Sequence, residues 1–530
     1  MTDEFAVAID IGTSGIRTQS YNLTTNKAIS TAITLKHPLP GGNVVDHLHF
    51  ALEIGQDNAH NLLVSTINKV IECLNVSNVK RIAVCGNPIQ LSLFNNIEIR
   101  DLAFWGENAL KNNDITPPSR KSKIINSKDI GLDIDCDVLI PPAIKHEIGA
   151  DALAMLYKSG ALKKDENSLI IDFGTNAEMA LIVDGEIYTA SAAAGPAIEG
   201  QSIKFGRLAS PNSICDIKKE GKYWRMKVLD DDLLTVDGDL IDPQSKEVIK
   251  KGNIKSKGIT GTGVIAAFSL GLDDNLITNG KITDRIYLQD DIYLTEEDIE
   301  NIGKALGAFR AGEITLCEES EIYMDEIDRV YMAGASGFYV DAVKSMKIGQ
   351  IPPSSEEIYQ IGNTSLAMAH DICINPDLLD DLQKIADEIE SNHIMLATSS
   401  IFEKIYSLEL SIYDEGLPYG EYEKWLLKYN IQEIPPLNEN PKIHKIFKRD
   451  ISLDSENAIE TIDIENTMIA SFDNCIKCMK CVNNCPENAL SLSDDTFNLR
   501  SDICLGFGCL RCQSNCRKNA FEYKKFFGSV

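Results

Sequence analysis

The chain lacks any long hydrophobic run. Across 530 residues no uncharged apolar stretch reaches the roughly 18 residues that suggest a bilayer-spanning helix, so no membrane partner is expected. Its first residues show no basic region followed by an apolar core, which argues against a secretory signal. Positive charge is also short. Lys and Arg number 51 against 79 Asp and Glu, for a net charge of −28. That balance disfavours a phosphate-backbone partner, so no nucleic acid is expected. Most of the excess reads simply as a solvated acidic surface. No Ser–His–Asp nucleophile pattern stands out. Six of the 14 cysteines (Cys73, Cys85, Cys136, Cys215, Cys317, Cys373) are scattered without a pairing pattern, which fits a reducing, cytoplasmic setting. What is present is an ordinary globular composition, long enough for three or four domains.

The other eight cysteines are concentrated at the end. They read Cys475-x2-Cys478-x2-Cys481-x3-Cys485-Pro486, then Cys504-x4-Cys509-x2-Cys512-x3-Cys516. The first run has the bacterial ferredoxin spacing, in which the fourth cysteine crosses to the other cluster. By that rule one 4Fe–4S cluster takes Cys475, Cys478, Cys481 and Cys516, and the other takes Cys504, Cys509, Cys512 and Cys485. Zinc is the plainer alternative, but zinc sites usually pair two separated Cys-x2-Cys knuckles. The second run departs from the pattern, with a four-residue first gap holding Gly506 and Gly508. A cluster of unusual geometry or potential is one reading of it.

At the other end, Phe5 to Ile9 is apolar and leads into Asp10-Ile11-Gly12-Thr13-Ser14-Gly15. This predicts a buried strand, a tight turn and a second strand. Glycines let a turn approach a phosphate closely, and hydroxyls and amides then supply donors. Ser168 to Glu178 repeats the arrangement: strand, Asp172, Gly174-Thr175-Asn176, then a strand ending at Asp184-Gly185. Two such hairpins suggest an internally duplicated fold closing on one phosphate chain. Two hairpins in unrelated domains are the alternative. A third element, Ile327 to Phe338, is an apolar strand entering the turn Gly334-Ala335-Ser336-Gly337. It resembles the adenosine-side loop of the actin, sugar-kinase and heat-shock-chaperone ATPase superfamily, and the three elements follow that superfamily's order.

Elsewhere residues 59 to 74 read as one face of an amphipathic helix, and 296 to 318 as a long helix. Residues 217 to 255 read as a β-hairpin insertion, and 112 to 129 as a polar loop. Asp151 is either a helix-starting charge or a nucleotide-site carboxylate. Glu199 ends a run of small residues and is a candidate Mg²⁺ or water-positioning carboxylate. Gly258 to Gly263 opens a helix, where Gly261 and Gly263 either offer amides to a phosphate or serve a helix cap. Val45-Asp46-His47-Leu48-His49-Phe50 carries two histidines that share a face if the stretch is a strand. With no third ligand in sight, a hydrogen-bonded turn or partner contact is preferred over a metal site.

Taken together, these motifs resemble the reductive activators of corrinoid-dependent methyltransferase systems, in particular the archaeal methylamine and methanol group. The resemblance runs the whole length and rests on the loops at Asp10 and Asp172, the 45–50 stretch, Ala193 to Ala197, Gly258 to Gly263 and the eight cysteines. Bacterial relatives carry an N-terminal 2Fe–2S domain, whereas this chain opens at its first phosphate loop. Its Ala333-Gly334-Ala335-Ser336-Gly337 also departs from the usual bacterial Gly-Gly-Phe-Gly.

The implied fold is α/β: a duplicated actin/sugar-kinase-like ATPase body with a C-terminal α+β two-cluster ferredoxin-like domain. The expected layout is a first lobe over 1–165, a second over 166–370, a helical linker over 371–465 and the ferredoxin-like domain over 466–530. The implied cofactors are two 4Fe–4S clusters, ATP and Mg²⁺. The implied partners are a corrinoid protein and an external low-potential electron donor. The implied activity is ATP-dependent reduction of inactive Co(II) to Co(I), for methyl transfer in methanogenesis from methylated compounds. In that reading Asp10 and Asp172 position Mg²⁺ and water, and Thr13, Ser14, Gly174 and Thr175 hold phosphates. An activator of an acyl-CoA dehydratase or arene reductase is the alternative, but such proteins hold one cluster with body cysteines. A kinase or actin-like scaffold is the third reading and leaves eight cluster ligands unexplained.

Overall fold

The run Phe5–Ile11 is apolar except at Asp10 because it lies mid-sheet, with Ala6, Val7, Ala8, Ile9 and Ile11 all buried. The structure, a computed structural model, describes residues 3–104, 107–144, 148–174, 176–192, 202–389, 392–446 and 459–528. Backbone proximity divides the chain into two units. The first comprises Met1–Leu153, Ser365–Asp387 and Leu453–Val530, and the second Ala154–Thr364 and Glu388–Ser452.

In the first unit Phe5–Ile11 pairs antiparallel with Ile16–Asn22, which pairs antiparallel with Ala28–Thr34. On its other side it pairs parallel with Val79–Gly86, and that strand with Asp137–Ile140. Helix Gln56–Cys73 buries Ala59, Leu62, Leu63, Thr66, Ile67 and Val70, the face that the sequence periodicity predicts. The polar 112–129 stretch is less irregular than expected. It includes an edge strand, Lys123–Asn126.

The second unit repeats the arrangement. Ser168–Phe173, Ala177–Val183 and Glu186–Ala192 run antiparallel, while Arg329–Ala333 and Glu357–Gly362 extend the sheet in parallel. Asp184 and Gly185 both have positive φ, as their tight turn requires. The expected hairpin insertion is larger, a five-stranded sheet from Ser213–Glu220 to Gly258–Ile259. Helix Glu296–Glu319 starts at a reciprocal cap between Thr295 and Asp298. Helix Ser400–Glu415 packs closely along it, because Gly303 and Gly307 leave room for Tyr413 and Glu409. Arg310 and Glu409 pair there at 3.1 Å, both largely buried.

The separate 371–465 linker expected from the sequence is instead shared between the units. Helix Thr364–Ile374 lies against the first sheet, where Cys373 Sγ donates to the Val7 carbonyl at 3.3 Å and His370 meets Tyr21. Lys442–Lys445 adds a parallel edge strand to the second sheet, and Ile459–Ile462 one to the first. Both strands are short and mostly exposed, so they carry no alternating pattern.

The cysteine-rich end belongs to the first unit. Thr467–Ala470, Thr496–Arg500 and Leu490–Ser493 form a small antiparallel sheet. Its core is aromatic, with Phe472 lying 4.5 Å from Phe521 and 5.4 Å from Phe497.

Candidate functional site

The first loop is closed by its own backbone, Gly12 N–H donating to the Gly15 carbonyl at 3.0 Å. Thr34 holds it from the third strand: its hydroxyl accepts from Ile16 N–H at 2.8 Å, and a side chain at Gly15 would press on its carbonyl. Asn87 donates to the Thr13 hydroxyl at 3.2 Å and also caps helix Pro88–Phe94. Asp10, buried at the strand end, is bridged by Arg17 at 3.4 Å. Asp151 belongs to the same neighbourhood. Its carboxyl is pushed up to about 6 by burial, with the Asp10 carboxylate adding and the Ala152 N–H opposing. Burial also drives the Cys85 thiol well up, and Asp10 and Asp151 add to it. Asp151 therefore joins a carboxylate pair, besides starting helix Ala150–Ser159.

In the second unit Asp172 and Ala333 are register partners on adjacent parallel strands. Gly334 has φ +77°, and a side chain there would strike the Asp172 carboxylate. A side chain at Gly337 would meet the Phe173 ring at 2.8 Å. The third loop thus sits directly against the glycine turn that follows Asp172, with Gly174 and Asn176 on that turn and Ser336 within helix Gly334–Tyr339. Gln360 ties that helix down, donating to the Gly337 and Val340 carbonyls at 2.8 Å each. Thr175, Glu199 and the Ala193 to Ala197 run lie outside the described residues. At Gly261 and Gly263 the cap is the visible role. Thr260 accepts from Gly263 N–H at 3.2 Å, and Gly263 packs on the Ile214 carbonyl.

The eight terminal cysteines line two hollows, divided as the ferredoxin rule requires. Cys475, Cys478, Cys481 and Cys516 line one. Cys485, Cys504, Cys509 and Cys512 line the other, with Tyr523. Among the described residues no group of three or more His, Cys, Asp or Glu is arranged to hold a single metal ion. All eight thiols are free of disulfides. The halves mirror each other. Lys477 N–H meets Cys475 Sγ and Gly506 N–H meets Cys504 Sγ, each at 3.4 Å. Met479 and Leu510 both take left-handed backbone before short helices, a conformation costing about 1–2 kcal/mol for such residues. Burial pushes the Cys512 thiol up to about 12 and that of Cys504 upward. Cys516 differs: burial pushes it up, but the N–H groups of Phe521, Lys518, Ala520 and Asn519 outweigh that and hold it below its ordinary value. Thiols so arranged fit 4Fe–4S cages, and N–H···S bonds of this kind tune cluster potential.

The 45–50 stretch is a helix, Val44–Ile54, and the expected shared face of His47 and His49 does not form. Asn43 caps it, His47 is buried and His49 is half exposed. His47 stacks on His37 at 4.2 Å and meets Gln90 at 2.7 Å. The outer surface of this helix contacts the second-cluster loop, where His49 lies 5.3 Å from Phe507. Phe50 meets Phe527 edge-on at 4.8 Å, and Glu53 pairs with Lys524 at 2.6 Å. Gly41 N–H donates to the Cys504 carbonyl at 2.9 Å. Reading the sequence missed Phe507, Tyr523, Asn87 and Thr34. The only signal was the unexplained four-residue gap.

A duplicated ATPase-type body carrying a two-cluster ferredoxin-like domain is thus the class of protein that fold and cysteines define. Family models agree: the RACo middle region matches residues 5–164, the C-terminal ASKHA domain of RACo matches 166–423, and a 4Fe–4S dicluster domain matches 474–521. The chain is 44% identical over 500 residues, 92% of each chain, to the reductase of the Co(II) methylated amine-specific corrinoid protein from Methanosarcina barkeri. It is 25% identical to the corrinoid activation enzyme RamQ of Eubacterium limosum, over 68% of this chain and 62% of that one. Among solved structures, a reductive activator for a corrinoid, iron–sulfur protein matches with TM-score 0.63 and 23% identity, over 77% of this chain and 65% of that one. The chain belongs to the RACo family of reductive activators of corrinoid proteins. Among the described residues no helix is long and apolar enough to cross a membrane.

Proposed function

We propose that this chain is an ATP-dependent iron–sulfur reductase that returns a corrinoid protein from Co(II) to Co(I), the methyl-accepting state, in a methyltransferase system of methanogenesis. The observation that carries this reading is the 44% identity, over 92% of both chains, to a reductase of a Co(II) methylated amine-specific corrinoid protein. A methylated-amine system is accordingly the first to test. An external low-potential donor completes the electron balance. The two-hollow cysteine domain also disfavours the dehydratase-activator reading, since none of Cys73, Cys85, Cys136, Cys215, Cys317 and Cys373 lines either hollow.

When bound, the clusters supply one-electron chemistry at a potential set by hydrogen bonding, charge and burial, within roughly −700 to +450 mV. The residues here supply the rest. Thr13, Ser14 and the Gly12 to Gly15 turn would be the phosphate contacts of the first unit, and Gly174, Thr175 and Asn176 those of the second. Asp10 and Asp172 hold Mg²⁺ or its waters. Gly334, Ser336 and Gly337 face the adenosine. Nucleotide can drive an uphill electron only by favouring one conformation of the protein over another, so the conformation that Mg·ATP favours would be the one that changes contact with the corrinoid protein.

The test is spectral. Anaerobic protein, Mg·ATP and a chemical reductant should convert a Co(II) corrinoid protein to Co(I). Asp10→Asn or Asp172→Asn should abolish the ATP-dependent part while leaving iron content intact. Unchanged conversion by either variant would count against the loop assignment.

A further inference from the structure

The two ends of the cysteine domain are not equivalent. The second-cluster loop is engaged by the body of its own unit, through the Gly41–Cys504 backbone bond and the Phe507 contacts. A Cβ at Gly506 would come within 3.3 Å of the Pro40 carbonyl. The first-cluster end presents a different surface. Cys478 is exposed, and Ile476 beside it is 58% exposed. Lys477, Arg517 and Lys518 line the same hollow and reach solvent, with Lys480 one turn away. Lys477 is bridged to Asp495, itself largely exposed, while Arg517 and Lys518 follow Cys516 directly. Residues 466–530 hold eight Lys and Arg against six Asp and Glu, in a chain of net charge −28. Basic charge is therefore gathered where the rest of the molecule is acidic, and it surrounds an apolar side chain and a cluster ligand.

An apolar centre with a charged rim is the composition of a transient protein interface, and opposite charge on the partner speeds and orients encounter. Electron-transfer encounters sit at the small end of interface size. We propose that the first-cluster face, centred on Ile476 and Cys478 and ringed by Lys477, Lys480, Arg517 and Lys518, is the entry port for an acidic, ferredoxin-class protein carrier. The second cluster site, engaged by the helix Val44–Ile54, is then the inner one. The step is an outer-sphere transfer: the carrier loses one electron, the domain gains one, no bond forms or breaks and no proton moves. This rests on the reductase reading and names the chemistry of its donor.

The test measures binding as well as turnover. A small acidic two-cluster ferredoxin is titrated anaerobically into the holoprotein by calorimetry. Triple charge reversal (Lys477→Glu, Arg517→Glu, Lys518→Glu) should weaken binding by about tenfold or more. Salt raised from about 20 to about 300 mM should weaken binding to the unaltered protein in the same direction. The same charge change at exposed Lys250, which ends a strand of the five-stranded sheet, and at exposed Lys255 and Lys257 of the loop after it should leave binding unaltered. Iron and sulfide analysis verifies that each variant is loaded. Equal weakening by both triples would reduce the effect to net charge and overturn the port, as would no weakening by the first. Failure of ATP-dependent cobalt reduction with Ti(III) citrate in the unaltered protein would instead sink the reductase reading. Success there with a charge-blind carrier would sink only the port.

Discussion

The ring of Phe507 lies 5.3 Å from the imidazole of His49 and meets Tyr523 edge-on at 5.2 Å. Phe507 sits inside the four-residue gap between Cys504 and Cys509, and Tyr523 reaches Cys504 Sγ at 3.5 Å. The long gap is therefore a turn fitted to the helix Val44–Ile54, linking a cluster ligand to the unit that carries the Asp10 turn. Phe507→Ala should remove the ring contacts with His49 and Phe50 of the helix, and that with Tyr523, and loosen this docking by about 1–2 kcal/mol. Amide hydrogen exchange in Val44–Ile54 and Gly506–Gly508 should rise while that of Phe5–Ile11 holds. Unchanged protection in the helix would mean that the gap serves only the cluster's own geometry.

The cross-ligation has its own signature. Cys485 belongs to the first run by sequence but lines the second hollow, and Cys516 the reverse. Cys485→Ala and Cys516→Ala should each lose about four irons per chain. The electron paramagnetic resonance signal kept by one should be the signal lost by the other. If both variants lost the same signal, the division of ligands would be wrong. A redox titration of the pair also addresses the atypical gap, since equal potentials would remove any specialisation of the second cluster.

Much of this was legible in the sequence. The hairpins at Asp10 and Asp172 were readable because a buried strand ending in Asp and a glycine turn are local signals. So was helix Glu296–Glu319, whose apolar period runs for six turns' length of chain. The 45–50 stretch was not, because Val45-Asp46-His47-Leu48-His49-Phe50 alternates as a strand would. Tertiary packing decided it: Asn43 caps the first turn, and Val44, His47, Leu48 and Ala51 face inward at helical spacing. The division of 371–465 was hidden for another reason. Lys442–Lys445 and Ile459–Ile462 are held as edge strands by pairing with residues far away in sequence, and such pairing leaves little local trace. The role of Asp151 stayed open between a helix-starting charge and a nucleotide-site carboxylate, because nothing in the linear sequence brings it to Asp10.

Acid should act on the docking helix from within. His37 and His47 are stacked and buried, and the Nε2 atoms of both lack partners. Burial lowers the His47 pKa to about 3 and takes that of His37 well below its ordinary value, with the neighbouring His47 adding. The unfolded chain therefore binds more protons than the folded one once pH drops beneath the free imidazole value. Stability from this pair is present above about 6.5 and falls with pH below it, by up to about 1.4 kcal/mol per unit for each ring. His47→Gln should flatten the slope in urea unfolding between pH 7 and pH 5, taken as about one proton fewer. An unaltered slope would show that other groups govern acid sensitivity. The segment Pro38 to Gly41 beside His37 also holds Ser501 and Cys504, so loss of docking should precede loss of the first sheet.

Asp151 should make the loop at Asp10 sensitive to pH. Its carboxyl is raised to about 6, by burial first and then by the Asp10 carboxylate, against the Ala152 N–H. Because the folded pKa lies above the unfolded one, this group favours the fold most at low pH. That contribution is lost as pH rises through about 6. A cation beside Asp10 reverses the preference, since it favours both carboxylates ionised. Binding of Mg·nucleotide below about pH 6 should then expel a proton from Asp151. Affinity for Mg·ATP should be flat above about 6 and fall by up to tenfold per unit below it. Calorimetry in buffers of different ionisation heat should register close to one proton released at low pH. Asp151→Asn removes the titrating carboxyl, so the pH dependence left in that variant should be only that of the nucleotide's own terminal phosphate, whose last ionisation lies at about 6. A slope in the Asn variant equal to that of the unaltered chain would place the titration elsewhere, and would return Asp151 to the plain role of starting its helix.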